Sequence, residues 1–91
     1  MEWRASHILL KNKSLADEIY KRIQKGARFD QMAKEFSTCP SKSKGGDLGW
    51  FGTGKMVRPF EEAVRKMTRN RPSKPISTQF GFHIIKKTGE R

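Results

Sequence analysis

Cysteine, histidine and long apolar runs are all scarce in this chain of 91 residues. Its single cysteine, Cys39, cannot form an internal disulfide, which is compatible with a reducing compartment. One cysteine and two histidines without metal-type spacing predict that the protein binds no metal, and we expect no cofactor. No segment has the continuous apolar length that crosses a bilayer, and the N-terminus lacks the apolar core of a signal peptide. We expect a cytoplasmic location if the chain is complete, and export if it is a domain of a longer protein.

Acidic residues are also few. Nine Asp and Glu face 20 Lys and Arg, so the formal net charge is +11. Such a charge attracts polyanions whatever the fold. One interpretation is therefore weak, non-specific binding to nucleic acid or to an anionic membrane surface. The alternative is a solvated and highly soluble surface.

The length suits one domain, residues 1–91, with a modest core, and we expect a monomer. The apolar and β-tolerant residues 3–10 predict a first strand. Ser14 with Asp17 three residues later predicts an N-cap that opens a helix through Lys25, and Gly26 ends it. Apolar residues at helical spacing predict a second helix over 29–36.

The second half of the chain alternates loops with short elements. Residues 37–44 are rich in turn formers and predict a polar loop. A third helix is expected to start near Pro59, a favoured first-turn residue. A short edge strand beginning at Ile76 and a final strand over 81–87 follow. The order is a strand, three helices interrupted by a short strand, and two strands, which is typical of an α+β domain.

Five glycines lie between Gly45 and Gly54, just before the third helix. Because glycine readily takes positive φ, this stretch predicts an ordered loop of tight turns rather than a long strand or helix. It lacks the spacing of the common phosphate-binding loops. Met56 and Phe60 are four residues apart, and a helix starting there would place both on one face, as the wall of a small apolar cleft.

His7 and His83 each fall inside a predicted strand, at opposite ends of the chain. If those strands pair at the centre of the sheet, the two imidazoles can meet. A single histidine in a strand is more often a hydrogen-bonded core residue than a catalyst. A cysteine-protease site is disfavoured, because Cys39 is followed by Pro40, which has no N–H to offer an oxyanion hole.

Several ordered motifs resemble the parvulins, a family of peptidyl-prolyl cis/trans isomerases, over nearly the whole chain. The matching segments are residues 5–9, 26–29, 33–37, 45–51, 54–61 and 78–86. The resemblance implies an α+β fold in which a four-stranded antiparallel sheet is surrounded by three to four helices. It also implies a concave site that acts on proline-containing peptides and unfolded proteins.

The resemblance further implies roles for individual residues. The positions of the family's catalytic machinery hold His7, Cys39, Thr78 and His83. The positions that contact the proline side of the substrate hold Leu48, Met56, Phe60 and Phe80. Only the short turn Lys11–Lys13 follows the first strand, where phospho-selective members carry a longer basic loop, so we expect no phosphate specificity. Residues 68–74 depart from the family's usual glycine-acid turn, and we expect a different loop geometry and local charge there.

The implied reaction needs neither metal nor cofactor. An X-Pro bond crosses a barrier near ~20 kcal/mol without any bond being made or broken. An apolar pocket that holds the proline ring favours the twisted amide, which has lost part of its carbonyl polarity. Two other functions stay open: a chaperone-like module that binds peptides without turnover, and an adaptor that binds anionic surfaces.

Overall fold

The computed structural model describes residues 1–91, which form a four-stranded antiparallel sheet with helices on both faces. In chain order the elements are β1 (Glu2–Leu10), α1 (Lys13–Gln24), α2 (Phe29–Phe36), a 3₁₀ helix (Pro40–Lys44), β2 (Asp47–Gly52), α3 (Arg58–Lys66), β3 (Ile76–Thr78) and β4 (Gly81–Glu90). The strand order is β2-β1-β4-β3, so the first and last strands pair at the centre. The predicted α+β fold is therefore confirmed.

Alternation along the two central strands divides the buried residues between the sheet's two faces. Ile8, Leu10 and Ile84 pack against α1 and α2, in a cluster that includes Ile19 and Phe29. On the other face the central strands and β2 pack against α3. That second cluster contains Trp3, Ala5, Phe51, Phe60, Val64 and Ile85. The sheet is thus the middle of three layers, and α3 alone leaves part of its face uncovered.

The glycine-rich stretch is not a loop throughout, and the sequence interpretation is wrong for Asp47–Gly52, which is β2. This strand pairs with β1, and a register shift between Arg4 and Ser6 accommodates an irregularity where Gly49 has φ 74°. The turns lie at the two ends of the stretch, at residues 45–46 and 53–54. A side chain at Gly46 would place its Cβ 2.4 Å from the carbonyl oxygen of His7, so this glycine is what lets the chain pass close behind β1.

The predicted cap of α1 is also wrong. The helix begins at Lys13, and its N-cap is Asn12, whose side-chain oxygen accepts the backbone N–H of Leu15 at 2.8 Å. Ser14 lies inside the first turn instead. Asn and Ser are comparable N-caps, so the pattern of Ser14 with Asp17 did not distinguish between the two starts. Asp17 instead pairs with Lys13 one turn earlier.

Smaller differences concern element ends. The predicted polar loop over 37–44 contains the 3₁₀ helix, and β4 continues three residues past its predicted end. The third helix begins as expected, with Pro59 in its first turn. None of the helices has the length and apolar character needed to cross a membrane.

The segment between α3 and β3 is held against β4 without regular structure. Asn70 has φ 66°, the one positive value outside glycine. Its N–H donates to the carbonyl oxygen of Lys87, and the N–H of Ser73 donates to that of Ile85 at 2.8 Å. The N–H of Ile85 in turn donates to the hydroxyl oxygen of Ser73 at 3.0 Å. Asparagine tolerates the left-handed region, so it can make this turn without glycine.

The two ends of the described chain lie side by side. The N–H of Glu2 donates to the carbonyl oxygen of Arg91 at 2.6 Å, and the N–H of Arg91 donates to that of Glu2 at 2.8 Å. The Arg91 guanidinium also bonds the Glu2 carboxylate and lies 4.1 Å from the centre of the Trp50 ring. The β1–β4 ladder is thereby closed at its outer end.

Candidate active site

His7 and His83 meet on the face of the sheet that α3 only partly covers. In the β1–β4 register, Leu9 is opposite His83 and His7 is opposite Ile85, so the histidines are diagonal neighbours. Their Nδ1 atoms are 2.9 Å apart, and their rings stack at an angle of 23°. Both residues are about 95% buried. The pairing expected if the first and last strands are adjacent is present.

The network continues from His83 to Thr78 on the edge strand β3. The hydroxyl of Thr78 lies 2.7 Å from Nε2 of His83 and accepts the backbone N–H of Phe80 at 3.1 Å. Nε2 of His7 has no hydrogen-bond partner although it is buried. We assign the proton between the histidines to His7 Nδ1, because the opposite tautomer would leave a buried N–H unpaired at His7 Nε2 rather than a bare lone pair. His83 then donates to Thr78, which keeps its own hydroxyl hydrogen for a further bond.

Burial keeps both imidazoles neutral at neutral pH. Desolvation, with a smaller contribution from the nearby His83, lowers the pKa of His7 from 6.5 to about 4. Desolvation alone lowers the pKa of His83 to about 4. A neutral pair can donate and accept hydrogen bonds, but it offers no full positive charge to a substrate carbonyl.

Phe60 connects the histidine pair to the core beneath it. Its ring stands edge-on to both imidazoles, with ring centres 5.6 Å from His7 and 5.4 Å from His83. It also contacts Phe51 of β2, with ring centres 6.1 Å apart. Phe60 is only 2% exposed, so it is as much a core residue as a wall of the site.

Cys39 reaches the same place from the end of α2. The buried hydroxyl of Ser37 accepts the N–H of Leu9 at 3.0 Å and that of Cys39 at 3.3 Å. The N–H of Thr38 donates to the carbonyl oxygen of Leu9 at 2.9 Å. These bonds fix the segment beside β1, and Cys39 then serves as the N-cap position of the 3₁₀ helix, with Pro40 next to it.

Together these residues enclose an open, mainly apolar cleft of about 400 Å³. Its walls are His7, Leu9, Cys39, Leu48, Lys55, Met56, Val57, Phe60, Phe80 and His83. Phe80 is 58% exposed at the rim, which is unusual for so large an apolar side chain. The volume and the lining suit a small apolar ring flanked by a few polar groups.

Seven of the eight site residues expected from the sequence line this cleft. The eighth, Thr78, lies behind His83 and contacts it through the hydrogen bond described above. Three lining residues were missed: Leu9, Lys55 and Val57. Leu9 follows from alternation with His7 along β1, whereas Lys55 and Val57 lie in a loop whose side-chain directions have no period to read.

Comparisons with known proteins identify the family to which the chain belongs. A sequence model of the rotamase family, the PPIC-type PPIASE domain, matches residues 7–89. The chain is similar to the foldase protein PrsA of Bacillus subtilis strain 168, with 52% identity over 89 residues, which is 97% of this chain and 30% of that protein. The same named protein from Geobacillus kaustophilus is 52% identical over 86 residues. The chain thus spans about a third of the length of these curated relatives.

Solved structures give the same result for the fold. The crystal structure of PrsA from Bacillus subtilis superposes with a TM-score of 0.95 at 50% identity, over 99% of this chain and 36% of that one. The solution structure of NmPin, the parvulin of Nitrosopumilus maritimus, superposes with a TM-score of 0.85 at 42% identity and covers 97% of this chain and 96% of that one. Since both the family model and a parvulin of nearly equal length match it from end to end, this chain belongs to the PpiC-type, or parvulin, family of peptidyl-prolyl cis/trans isomerases.

Proposed function

We propose that residues 1–91 act as one parvulin domain that accelerates rotation about X-Pro bonds by a non-covalent mechanism, and so assists protein folding. The observation that carries this proposal is the apolar cleft, whose base is formed by two neutral histidines that are hydrogen-bonded to each other. Leu48, Met56 and Phe60 bind the proline ring, and Phe80 covers it at the rim. The planar amide loses polarity as it twists, so an apolar wall binds the twisted state better than the ground state.

The polar groups of the site would hold the backbone on either side of the proline. Cys39 contacts the substrate carbonyl as a weakly polar wall. His7 and His83 orient the site from beneath, and Thr78 fixes the ring of His83. About 5 kcal/mol removed from the barrier corresponds to roughly 10⁴-fold acceleration. The same cleft binding peptides without turnover is the alternative, and it is disfavoured by the family's activity.

Exchange NMR on a neutral Ala-Pro-Phe peptide tests the proposal directly. Catalytic amounts of the folded protein should raise the cis/trans exchange rate in proportion to enzyme concentration. Without enzyme, exchange takes tens to hundreds of seconds. Binding of the peptide with no change in that rate would favour the peptide-binding alternative instead.

Cys39→Asp should keep measurable activity, within about tenfold of the original protein. A carboxylate cannot carry thiol chemistry, and the resemblance to parvulins indicates that aspartate is tolerated at this position. Cys39→Ser provides the matched control of similar size. Complete loss of exchange in a folded Cys39→Asp protein, or a peptide adduct detected by mass spectrometry, would support a covalent mechanism.

We propose in addition that the surplus charge mediates weak, sequence-independent binding to an anionic surface. Eight salt bridges use eight of the nine carboxylates, which leaves twelve cations without a carboxylate partner. Three of these, Arg69, Arg71 and Lys74, are exposed in the segment before β3.

Binding to anionic vesicles or to duplex DNA should therefore weaken steeply from low to physiological salt. Reversing the charge of Arg69, Arg71 and Lys74 should reduce it and leave peptide exchange in place. If neither polyanion is bound at low salt, the cations serve as a solvated surface.

The partners and the location are further parts of the proposal. We expect a monomer that acts on unfolded proteins and shows no phosphate specificity. The chain is similar to one part of longer foldase proteins, and also to a chain from Campylobacter jejuni described with PEB4 and the periplasmic protein Cj1289 as SurA-like chaperones, at 35% identity. These similarities favour the second location expected from the sequence, a domain of a longer exported protein.

A further inference from the structure

The charged side chains that line the cleft are of one sign only. Lys55 is the only Lys or Arg among its lining residues, and no Asp or Glu lines it. The two histidines at its base are neutral at neutral pH, because burial lowers the pKa of each to about 4. A substrate that enters the cleft therefore meets a single fixed positive charge beside an otherwise mainly apolar wall.

The charge of Lys55 is not compensated by the protein. The two carboxylates that follow it in the sequence are already engaged. Glu61 accepts the N–H of Gly54 at 2.7 Å and pairs with Arg65, and Glu62 pairs with Arg58. Lys55 itself forms no salt bridge and is exposed. Its ammonium group is thus free to pair with a group on the substrate.

We propose that Lys55 makes this cleft select prolyl peptides that carry an acidic side chain next to the proline. The inference rests on the proposed isomerase function and names the substrate class of the same site. An acidic neighbour gains an ion pair at the edge of the apolar wall, where water is partly excluded and the attraction is stronger than in bulk solvent. A basic neighbour is repelled by the same charge. Glu61 and Glu62 do not offset either effect, because their charges are neutralised by Arg65 and Arg58.

Exchange NMR on three peptides of one length measures the selection, with Glu, Ala or Lys next to the proline, placed first before and then after it. For one of the two placements, kcat/KM at low ionic strength should be about three- to tenfold higher for the Glu peptide than for the Lys peptide. The difference should shrink in 0.5 M salt, where the screening length is only a few ångströms. A phosphoserine peptide should stay within several-fold of the Glu peptide, since one lysine cannot make the bidentate contact of arginines.

Two variants separate Lys55 from the general positive field. Lys55→Glu should reverse the ratio between the Glu and Lys peptides, and Lys55→Gln should bring it close to one. Lys21→Gln removes the same charge from an exposed residue of α1, on the opposite face of the sheet, and should keep the ratio of the original protein. Cys39→Asp should also lower the ratio, because it adds a carboxylate to the cleft wall.

The outcomes distinguish this inference from the function on which it rests. Exchange on the Ala peptide together with equal rates for the Glu and Lys peptides would overturn the role of Lys55 and leave the isomerase function standing. A ratio that falls as much in Lys21→Gln as in Lys55→Gln would assign the preference to net charge and overturn it as well. Absence of exchange on all three peptides would overturn both.

Discussion

Met56→Ala is expected to lower kcat/KM for X-Pro exchange at least tenfold while the protein stays folded. Met56 is half-buried on the cleft wall and packs against the second core cluster. Truncating it removes contacts that we assign to the proline ring in the twisted state. A tenfold loss corresponds to about 1.4 kcal/mol of transition-state stabilisation, a modest fraction of what a methionine side chain can contribute.

Met67→Ala is the matched control. This methionine is also half-buried against the second cluster, but it does not line the cleft. Its truncation should cost similar stability and leave kcat/KM within about twofold. Equal losses of activity in the two variants would show that loosening this core, rather than losing a substrate contact, is responsible.

Phe60→Ala should be more damaging still, but it affects two properties together. Because Phe60 is almost fully buried, its truncation should lower the free energy of unfolding by about 3–5 kcal/mol in addition to removing a cleft wall. Activity must therefore be normalised to the folded fraction, or measured in Phe60→Leu, which keeps most of the volume. Unchanged exchange in folded Met56→Ala and Phe60→Leu proteins would place the proline site elsewhere.

Acidification from pH 6.5 to pH 4 is expected to destabilise the fold through the histidine pair. His7 and His83 have pKa values of about 4 when folded, against about 6.5 in an unfolded chain. Between pH 6.5 and pH 4 the histidines are protonated in the unfolded state but not in the folded state. The free energy of unfolding therefore falls as the pH falls. Each unit of pKa difference corresponds to ~1.4 kcal/mol, and the pair together should lose on the order of a few kcal/mol.

Chemical denaturation at a series of pH values measures this slope, and imidazole NMR resonances report the titration itself. The carboxylates with lowered pKa values affect stability mainly at lower pH. Hydrogen bonds with Arg4 and with the N–H of Gly54 lower the pKa values of Asp47 and Glu61, respectively. His7→Ala should flatten the slope and also reduce stability by about 1–3 kcal/mol, because it leaves a buried nitrogen of His83 unpaired. Imidazole titration near pH 6.5 in the folded protein would contradict the prediction.

Periodic patterns in the sequence located the elements that build the site. Alternation around His7 and His83 placed both residues on strands, and their meeting required only that the first and last strands be neighbours. Met56 and Phe60 both line the cleft as expected, but α3 begins only at Arg58, so Met56 lies in the preceding loop and helical spacing does not explain its position. Their assignment as substrate-binding residues, like that of Thr78 as a catalytic one, stays a prediction.

The features that were missed depend on interactions without a period. The predicted order includes a short strand among the helices, but the sequence does not place it at β2, because the glycines there resemble a turn. Pairing with β1 overrides their weak strand propensity. Asn12 was passed over as the cap because Ser14 offered an equally good local pattern. Lys55 was overlooked because a loop lysine is usually solvated, and only the folded chain shows that it lies beside the cleft.

The pairing of Glu2 with Arg91 determines how the fold would respond to mechanical tension. Because both ends lie at the same edge of the sheet, a force that pulls them apart loads the backbone hydrogen bonds between β1 and β4 one after another rather than all at once. The hydrogen bonds of such a ladder break in sequence from the end, so the strands separate at low force. Four registered pairs precede His7 in that ladder, so these pairs would open before the tension reached the histidine pair.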